Sequence, residues 1–174
     1  MRALVAYASK AGSTKGIAEF VGERLRERGI QVDVRGVESV KDPAGYDAYV
    51  IGSAVYQFHW LKEAKEFASK NRSVLASKPV WIFSSGPTGK RTTDSKGRDL
   101  RDVSGPKEID ELREWMRPLD HRVFFGAFYR DRVTGAAGWF ARFIPKEEEG
   151  DFRNWKDIES WTAAISNALA PAQP

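Results

Sequence analysis

Residues 1–15 read MRALVAYASKAGSTK, and they contain the clearest structural signal in the chain. The apolar run from Ala3 to Ala8 has the length of a buried strand, and it stops abruptly in small hydroxylated residues and one glycine. Apolar residues then recur at helical spacing from Ile17 onward. We therefore predict a strand, a tight loop and a helix that follow one another directly.

The loop between this strand and this helix is suited to hold a phosphate group. A helix that starts directly after a strand points backbone N–H groups and the positive end of its dipole at one spot above the strand. Ser9, Ser13 and Thr14 add hydroxyl groups at that spot. The loop matches neither the Walker A pattern nor the dinucleotide-binding pattern G-x-G-x-x-G. The alternative is a plain strand–helix turn in which Ser13 caps the helix.

Length and composition exclude several classes of protein. The 174 residues suit one domain, which we place at residues 1–174. The absence of cysteine excludes disulfides, thiolate catalysis and cysteine-based metal sites, and it fits a cytoplasmic protein. The two histidines, His59 and His121, lie far apart, so no metal site is predicted. The sequence shows no secretion signal and no apolar stretch long enough to span a membrane.

The charge of the chain is mildly basic, with a formal net charge of +4 and a pI of about 9.3. Basic and acidic residues alternate along almost the whole chain, so no nucleic-acid partner is predicted. A preference for anionic small molecules, or peripheral contact with an anionic membrane surface, stays open.

The rest of the chain alternates between predicted strands and helices. Further strands are predicted at Gln31–Val34, Asp47–Ser53, Val80–Phe83 and Val123–Tyr129. Further helices are predicted at Trp60–Asn71, Ile109–Met116 and Arg132–Ile144, with a closing helix capped by Asn154. Most of these strands are apolar throughout, which is typical of a parallel sheet covered by helices on both faces.

Three loops of the same chemical kind follow the first, third and fourth predicted strands. They are Ser9–Thr14, Gly52–Tyr56 and Ser84–Gly89, and each is rich in small or hydroxylated residues. Right-handed crossovers place the carboxyl ends of parallel strands at one edge of the sheet, so these loops should converge. Ligands of such sheets bind in the crevice beyond those ends, where the strand order reverses.

The three loops resemble those of the flavodoxin-like FMN-binding family, and the resemblance covers nearly the whole chain. The phosphate loop of that family has the form Ser/Thr-x-x-Gly-x-Ser/Thr, which is present here from Ser9 to Thr14. The resemblance implies an α/β three-layer sandwich with a five-stranded parallel sheet in the order 2-1-3-4-5, and FMN as the cofactor. It assigns cofactor binding to Ser9, Lys10, Ala11, Gly12, Ser13, Thr14, Ser53, Ala54, Val55, Tyr56, Ser84, Ser85, Gly86, Pro87, Thr88 and Gly89.

Within this family, the chain is most similar to the menaquinone-dependent protoporphyrinogen oxidases. The shared stretches are Gly52–Val55 with the following His59, Gly126–Phe128, Asp131-Arg132 and Asn154-Trp155. This resemblance implies an oxidoreductase that moves electrons from a small organic substrate to a quinone-like acceptor. Two alternatives stay open: a flavodoxin-type electron carrier that serves a redox partner protein, and a flavin-free domain that keeps only the fold.

Aromatic residues near the second loop are candidates for contact with the flavin. Tyr56 is the first candidate and Trp60 the second, although Trp60 could instead pack on the sheet. The third loop has no aromatic residue, so we expect one flavin face to be open to a stacking substrate. His59 is the one candidate for proton transfer, with an inert position at a helix start as the alternative.

A cluster of aromatic and aliphatic residues marks the predicted helix at Arg132–Ile144. Trp139, Phe140 and Phe143 belong to it. Such a cluster could meet a membrane interface or an apolar substrate, or it could pack a crossover helix on the sheet.

Overall fold

The computed structural model describes residues 1–132 and 146–170, and its central feature is a parallel sheet. The five parallel strands are β1 (Arg2–Ala8), β2 (Gln31–Gly36), β3 (Ala48–Tyr56), β5 (Val80–Ser85) and β6 (Asp120–Phe124). They lie in the order β2-β1-β3-β5-β6. A short strand, β4 (His59–Trp60), pairs antiparallel with the end of β3 and shifts the numbering by one. The predicted order 2-1-3-4-5 is therefore confirmed.

Helices cover both faces of this sheet. They are α1 (Ser13–Glu27), α2 (Lys62–Lys70), α3 (Arg72–Leu75), α4 (Leu100–Val103), α5 (Ile109–Met116) and α6 (Trp155–Leu169). One core joins β1 to α1 and α6, and the other joins β1 to α2 and α5. No helix in the described ranges is both long enough and apolar enough to cross a membrane.

Strand β1 shows why the sheet needs apolar residues at every position. Ala3 and Val5 are fully buried against α1 and α6, whereas Leu4 and Ala6 are fully buried against α2 and α5. Successive side chains of a strand point to opposite faces, so a strand covered on both faces reads as one continuous apolar run. Because burial on both faces requires apolar residues at every position, strand β1 could be predicted from the first fifteen residues.

The last strand differs from the prediction at Val123–Tyr129. Strand β6 starts at Asp120, and the chain then turns into a two-residue strand, β7 (Ala127–Phe128), which pairs antiparallel with β8 (Gly150–Asp151). A polar start is tolerated in β6 because Asp120 is partly exposed and its carboxylate accepts hydrogen bonds from Nε1 of Trp161 at 2.8 Å and from Nε of Arg122 at 3.2 Å. The predicted strand is therefore divided between two sheets, with Phe124 in the first and Phe128 in the second.

The helix predicted from Trp60 begins two residues later, at Lys62, because a hairpin precedes it. Gln57 and Phe58 have φ angles of 52° and 65°, and they form the turn between β3 and β4. Two successive residues with positive φ fit the type I′ turn, which usually contains Asn or Gly. Neither residue carries that sequence signal, so the hairpin could not be predicted.

One of the predicted loops is part of a strand, and another is shorter than expected. Residues Gly52–Tyr56 lie inside β3, and Ser84 and Ser85 lie inside β5. Small residues do not end these strands, because each still pairs in register with its neighbour: Ser53 lies opposite Ser84, and Ala54 opposite Ser85. The helix predicted at Arg132–Ile144, with its aromatic cluster, lies outside the described residues from residue 133 onward.

Candidate functional site

A cavity of about 170 Å³ opens at the carboxyl ends of the parallel strands. It is lined by Ser9, Ala11, Ser13, Thr14, Ala54, Val55, Tyr56, Ser85, Gly86, Thr88, Gly126, Ala127 and Phe128. The structure thus brings the three predicted segments together, and it adds a fourth segment at Gly126–Phe128. The volume of the cavity suits a phosphate and part of a ribityl chain, because pockets for whole ligands span about 300–1,000 Å³.

The first segment is the loop from Ser9 to Gly12, which leads directly into α1. Gly12 is the N-cap residue with a φ of 84°, a left-handed conformation that glycine adopts without steric cost. Its N–H donates to Oγ of Ser9 at 3.1 Å, and its carbonyl accepts from the N–H of Gly16 at 3.0 Å. The first N–H groups of a helix have no partner within the helix, so those of Ser13 and Thr14 are available to an anion.

Ser13 does not cap the helix, in contrast to the alternative raised by the sequence. It is the first residue of α1, and its hydroxyl oxygen accepts a hydrogen bond of 2.8 Å from the N–H of Ala127. The same oxygen lies 3.4 Å from Oγ of Ser85 in β5. Ser13 therefore joins the first, third and fourth segments of the cavity wall.

The hydroxyl group of Thr14 is a buried polar group at the cavity wall. The Thr14 side chain is fully buried, it lines the cavity, and its Oγ1 has no hydrogen bond among the described residues. Leaving such a group unpaired costs about 1–3 kcal/mol. A ligand oxygen in the cavity would recover this free energy by accepting a hydrogen bond from Oγ1.

The fourth segment was missed by the sequence analysis as part of the site. A Cβ atom at Gly126 would lie 3.2 Å from the hydroxyl oxygens of both Ser13 and Ser85, so a glycine allows the close approach. The N–H of Gly126 donates to the carbonyl of Pro87 at 2.9 Å. Gly126–Phe128 stood out in the sequence only as a stretch shared with one subgroup, and nothing in its composition tied it to a loop more than 100 residues earlier.

Six residues assigned to the cofactor do not line the cavity: Lys10, Gly12, Ser53, Ser84, Pro87 and Gly89. Ser53 and Ser84 are fully buried and serve the packing around the β3–β4 hairpin. Ser53 Oγ accepts from the N–H of Leu61 at 3.0 Å, and Ser84 Oγ accepts from Nε1 of Trp60 at 2.8 Å. Trp60 is therefore a core residue, as the alternative interpretation of this side chain held.

Among the described residues, the aromatic side chains that line the cavity are those of Tyr56 and Phe128. Tyr56 is 43 % exposed, and Nζ of Lys10 lies 5.1 Å from the centroid of its ring. Partial burial raises the pKa of the Tyr56 hydroxyl, so it stays neutral at physiological pH. The third loop contributes Ser85, Gly86 and Thr88, none of which carries a ring, while Phe128 supplies a ring that was not expected. The open flavin face stays a prediction.

The hairpin that carries Tyr56 is anchored by the buried side chain of Glu108. This carboxylate accepts from the N–H of Trp60 at 2.8 Å, lies 2.9 Å from Nδ1 of His59, and lies 3.4 Å from Nζ of Lys65. Burial acts to raise the pKa of Glu108, but the hydrogen bonds and the nearby positive charge outweigh it and lower the pKa. His59 does not line the cavity, and its ring is a partner of this anchor.

His121 lies inside β6 and joins the same buried network. Its Nε2 lies 2.9 Å from Oγ of Ser84, which also accepts from Trp60. Burial lowers the pKa of His121 to about 4, with Arg113 acting in the same direction and Asp120 opposing. The folded protein therefore holds a neutral imidazole at this position.

This lowered pKa predicts a loss of stability in mild acid. The unfolded chain binds a proton at His121 below a pKa of about 6.5, whereas the folded chain resists protonation down to about 4. Stability should therefore fall as the pH drops from about 6.5 toward 4, by about 2 kcal/mol between pH 7 and pH 5. We expect His121→Gln to remove that part of the pH dependence, as measured by urea unfolding at both pH values. An unchanged dependence in the variant would assign the acid sensitivity to another group.

The class of protein follows from this fold and site together with a sequence comparison. The sequence model described as flavodoxin domain matches residues 4–154. The chain therefore belongs to the flavodoxin domain family, whose cofactor is FMN. The cavity fits that cofactor, because it is lined by serine hydroxyls and by Thr14, whose hydroxyl has no partner among the described residues, at the start of α1 where N–H groups favour a phosphate.

Individual proteins of known function or structure are also similar to this chain. The chain is 33% identical to "Protoporphyrinogen IX dehydrogenase (quinone)" of Escherichia coli strain K12, over 96% of this chain and 96% of that protein. Among solved structures, oxidised flavodoxin 2 from Bacillus cereus has a TM-score of 0.61 at 17% identity, with 97% of this chain and 99% of that chain covered. A flavodoxin from the domain Archaea has a TM-score of 0.60 at 17% identity, with the same coverage. The structures establish the fold, and the curated relative supports an FMN oxidoreductase.

Proposed function

We propose that this protein is an FMN-dependent oxidoreductase that takes electrons from a porphyrinogen and passes them to a quinone. The observation that carries the proposal is the similarity to the Escherichia coli dehydrogenase over nearly the full length of both chains. The cavity at the carboxyl ends of the strands supports it, because its polar groups match a phosphorylated flavin.

The residues of the chain bind and orient the cofactor in this proposal. The N–H groups of Ser13 and Thr14, together with the Thr14 hydroxyl, donate to the phosphate oxygens. Tyr56 provides a flat surface at the mouth of the cavity, and the hairpin anchored on Glu108 fixes the position of that ring. FMN, when bound, supplies the two-electron chemistry.

The small residues of the third loop determine access to the site. Ser85, Gly86 and Thr88 line the cavity without a ring, which leaves room for a flat substrate on that side. Each turnover removes two electrons and two protons from the porphyrinogen and adds two electrons and two protons to the quinone, which becomes a quinol. No acid–base residue is assigned, because His59 faces Glu108 instead of the cavity.

The test combines FMN titration with anaerobic turnover. We expect the purified apoprotein to bind FMN, and the loaded protein to oxidise protoporphyrinogen IX with a soluble quinone as acceptor. A protein that binds FMN and is reduced by a flavodoxin reductase, but does not turn over porphyrinogen, would support the electron carrier instead. A protein that ignores FMN would overturn both functions.

A further inference from the structure

A short segment near the end of the chain crosses behind the phosphate loop. Strand β8 pairs with β7, so that Asp151 lies opposite Ala127, and Arg153 follows two residues later. Ala127 is the residue whose N–H donates to the hydroxyl oxygen of Ser13. The segment around β8 is thereby connected to the first residue of α1.

The side chain of Arg153 is held rigidly in this segment. Its Nε and Nη2 donate to the two carboxylate oxygens of Asp151 at 2.8 and 2.5 Å, and its guanidinium lies 4.4 Å from the centroid of the Trp155 ring. The side chain is only 13% exposed. A guanidinium fixed by a bidentate pair and an aromatic ring is suited to position what it contacts.

The remaining N–H edge of this guanidinium contacts the first turn of α1. Nη1 of Arg153 donates to the carbonyl oxygen of Ser13 at 3.4 Å. Gly16 makes room for it, because a Cβ atom at that position would overlap Nη1. Gly16 is helical and has no positive φ, so the close approach of Arg153 explains a glycine in a turn where alanine would favour the helix.

These contacts grip Ser13 from two sides. Its hydroxyl oxygen accepts from Ala127, and its carbonyl oxygen accepts from Arg153, while Ala127 and Arg153 are themselves joined through Asp151. We propose that Arg153 is a positioning residue for cofactor binding, which holds the first turn of α1 so that its N–H groups face the phosphate. The inference rests on the proposed FMN site and concerns only the phosphate end of the ligand.

Comparison of FMN with riboflavin tests this role, because riboflavin lacks the phosphate. For Arg153→Gln we expect the Kd for FMN to rise about tenfold, and the Kd for riboflavin to change by less than about twofold, in fluorescence titrations. A side chain that only stabilises the fold would weaken both ligands alike. Arg153→Lys keeps the charge but loses the fork, so it should behave like Arg153→Gln; full affinity in this variant would assign the effect to charge and overturn positioning.

Gly16→Ala provides a second route that leaves Arg153 in the chain. The new methyl group displaces the guanidinium from Ser13, so this variant should reproduce the FMN-specific loss, and the double variant Gly16→Ala/Arg153→Gln should be no weaker than either single variant. If Arg153→Gln does not fold, Gly16→Ala alone tests the positioning role of Arg153. The matched control is Arg26→Gln, which removes two hydrogen bonds of 3.0 and 2.8 Å to the carbonyl of Val32 near the other end of α1. That variant should leave both affinities unchanged.

The outcomes separate this inference from the proposed function. A parent protein that binds FMN, with an FMN-to-riboflavin preference that Arg153→Gln and Gly16→Ala leave unchanged, overturns the role of Arg153 alone. A parent protein that does not bind FMN overturns the site itself.

Discussion

Replacing Thr14 by valine is expected to weaken FMN binding about tenfold to a hundredfold while making the unliganded protein more stable. A hydrogen bond to a charged acceptor contributes about 1.5–3 kcal/mol, and valine cannot donate one. In the free protein the same hydroxyl is buried without a partner among the described residues, so its removal should add about 1 kcal/mol to the free energy of unfolding. Weaker FMN binding combined with higher stability of the unliganded protein distinguishes a ligand-binding hydroxyl from a structural one.

Titration with FMN and urea unfolding of the apoprotein measure the two effects. Thr162→Val is the matched control, because Thr162 is also fully buried but its Oγ1 donates to the carbonyl of Ile158 at 2.8 Å. That control should lose stability slightly and keep its FMN affinity. Affinity for riboflavin should survive in Thr14→Val, and an equal loss for both flavins would remove Thr14 from the phosphate site.

Replacing Glu108 by alanine is expected to destabilise the protein by about 3 kcal/mol and to weaken FMN and riboflavin alike. The substitution leaves the buried N–H of Trp60 without its acceptor and removes the partner of His59 and Lys65. The hairpin that presents Tyr56 then loses its anchor, so the loss of affinity should not depend on the phosphate. Hydrogen exchange at residues 56–60 should become faster.

Two further variants sharpen this result. Glu108→Gln keeps an acceptor for Trp60, so it should cost clearly less than alanine. Glu66→Ala removes an exposed carboxylate that pairs with Lys62 at 3.4 Å, and it should change stability by less than about 0.5 kcal/mol. Should Glu108→Ala fall as close to the parent as Glu66→Ala does, the anchor would have no energetic role.

The sheet could be predicted from the sequence because burial on both faces demands apolar residues at every position. Leu4 and Val5 point to opposite cores, and both are fully buried, so the pattern had one physical solution. Where one edge of the sheet is more open, as at β6, polar residues enter the strand and the boundary could not be located. Asp120 is acceptable there because its side chain is partly exposed, and because Arg122 and Trp161, which lies 41 residues later, donate to its carboxylate.

The site was only partly predictable for the same kind of reason. The loop from Ser9 to Thr14 could be predicted, because a glycine and hydroxylated residues lie between a predicted strand and a predicted helix. Ser53 and Ser84 are small hydroxylated residues like those of the first loop. Their side chains are buried in the core, because the strands continue through both positions. Gly126 and Ala127 gave no comparable signal, because their role depends on contacts with Ser13, a residue more than 100 positions earlier.

The wall that closes the phosphate end of the cavity comes from far along the chain. Ser13 bonds to residues 114 and 140 positions later. A chain still being translated therefore exposes its phosphate loop long before Ala127 and Arg153 leave the ribosome, and contacts over such separations form late because closing a long loop costs entropy. Loading with FMN should accordingly be an event of the completed polypeptide, and a chain truncated before Gly126 should remain colourless.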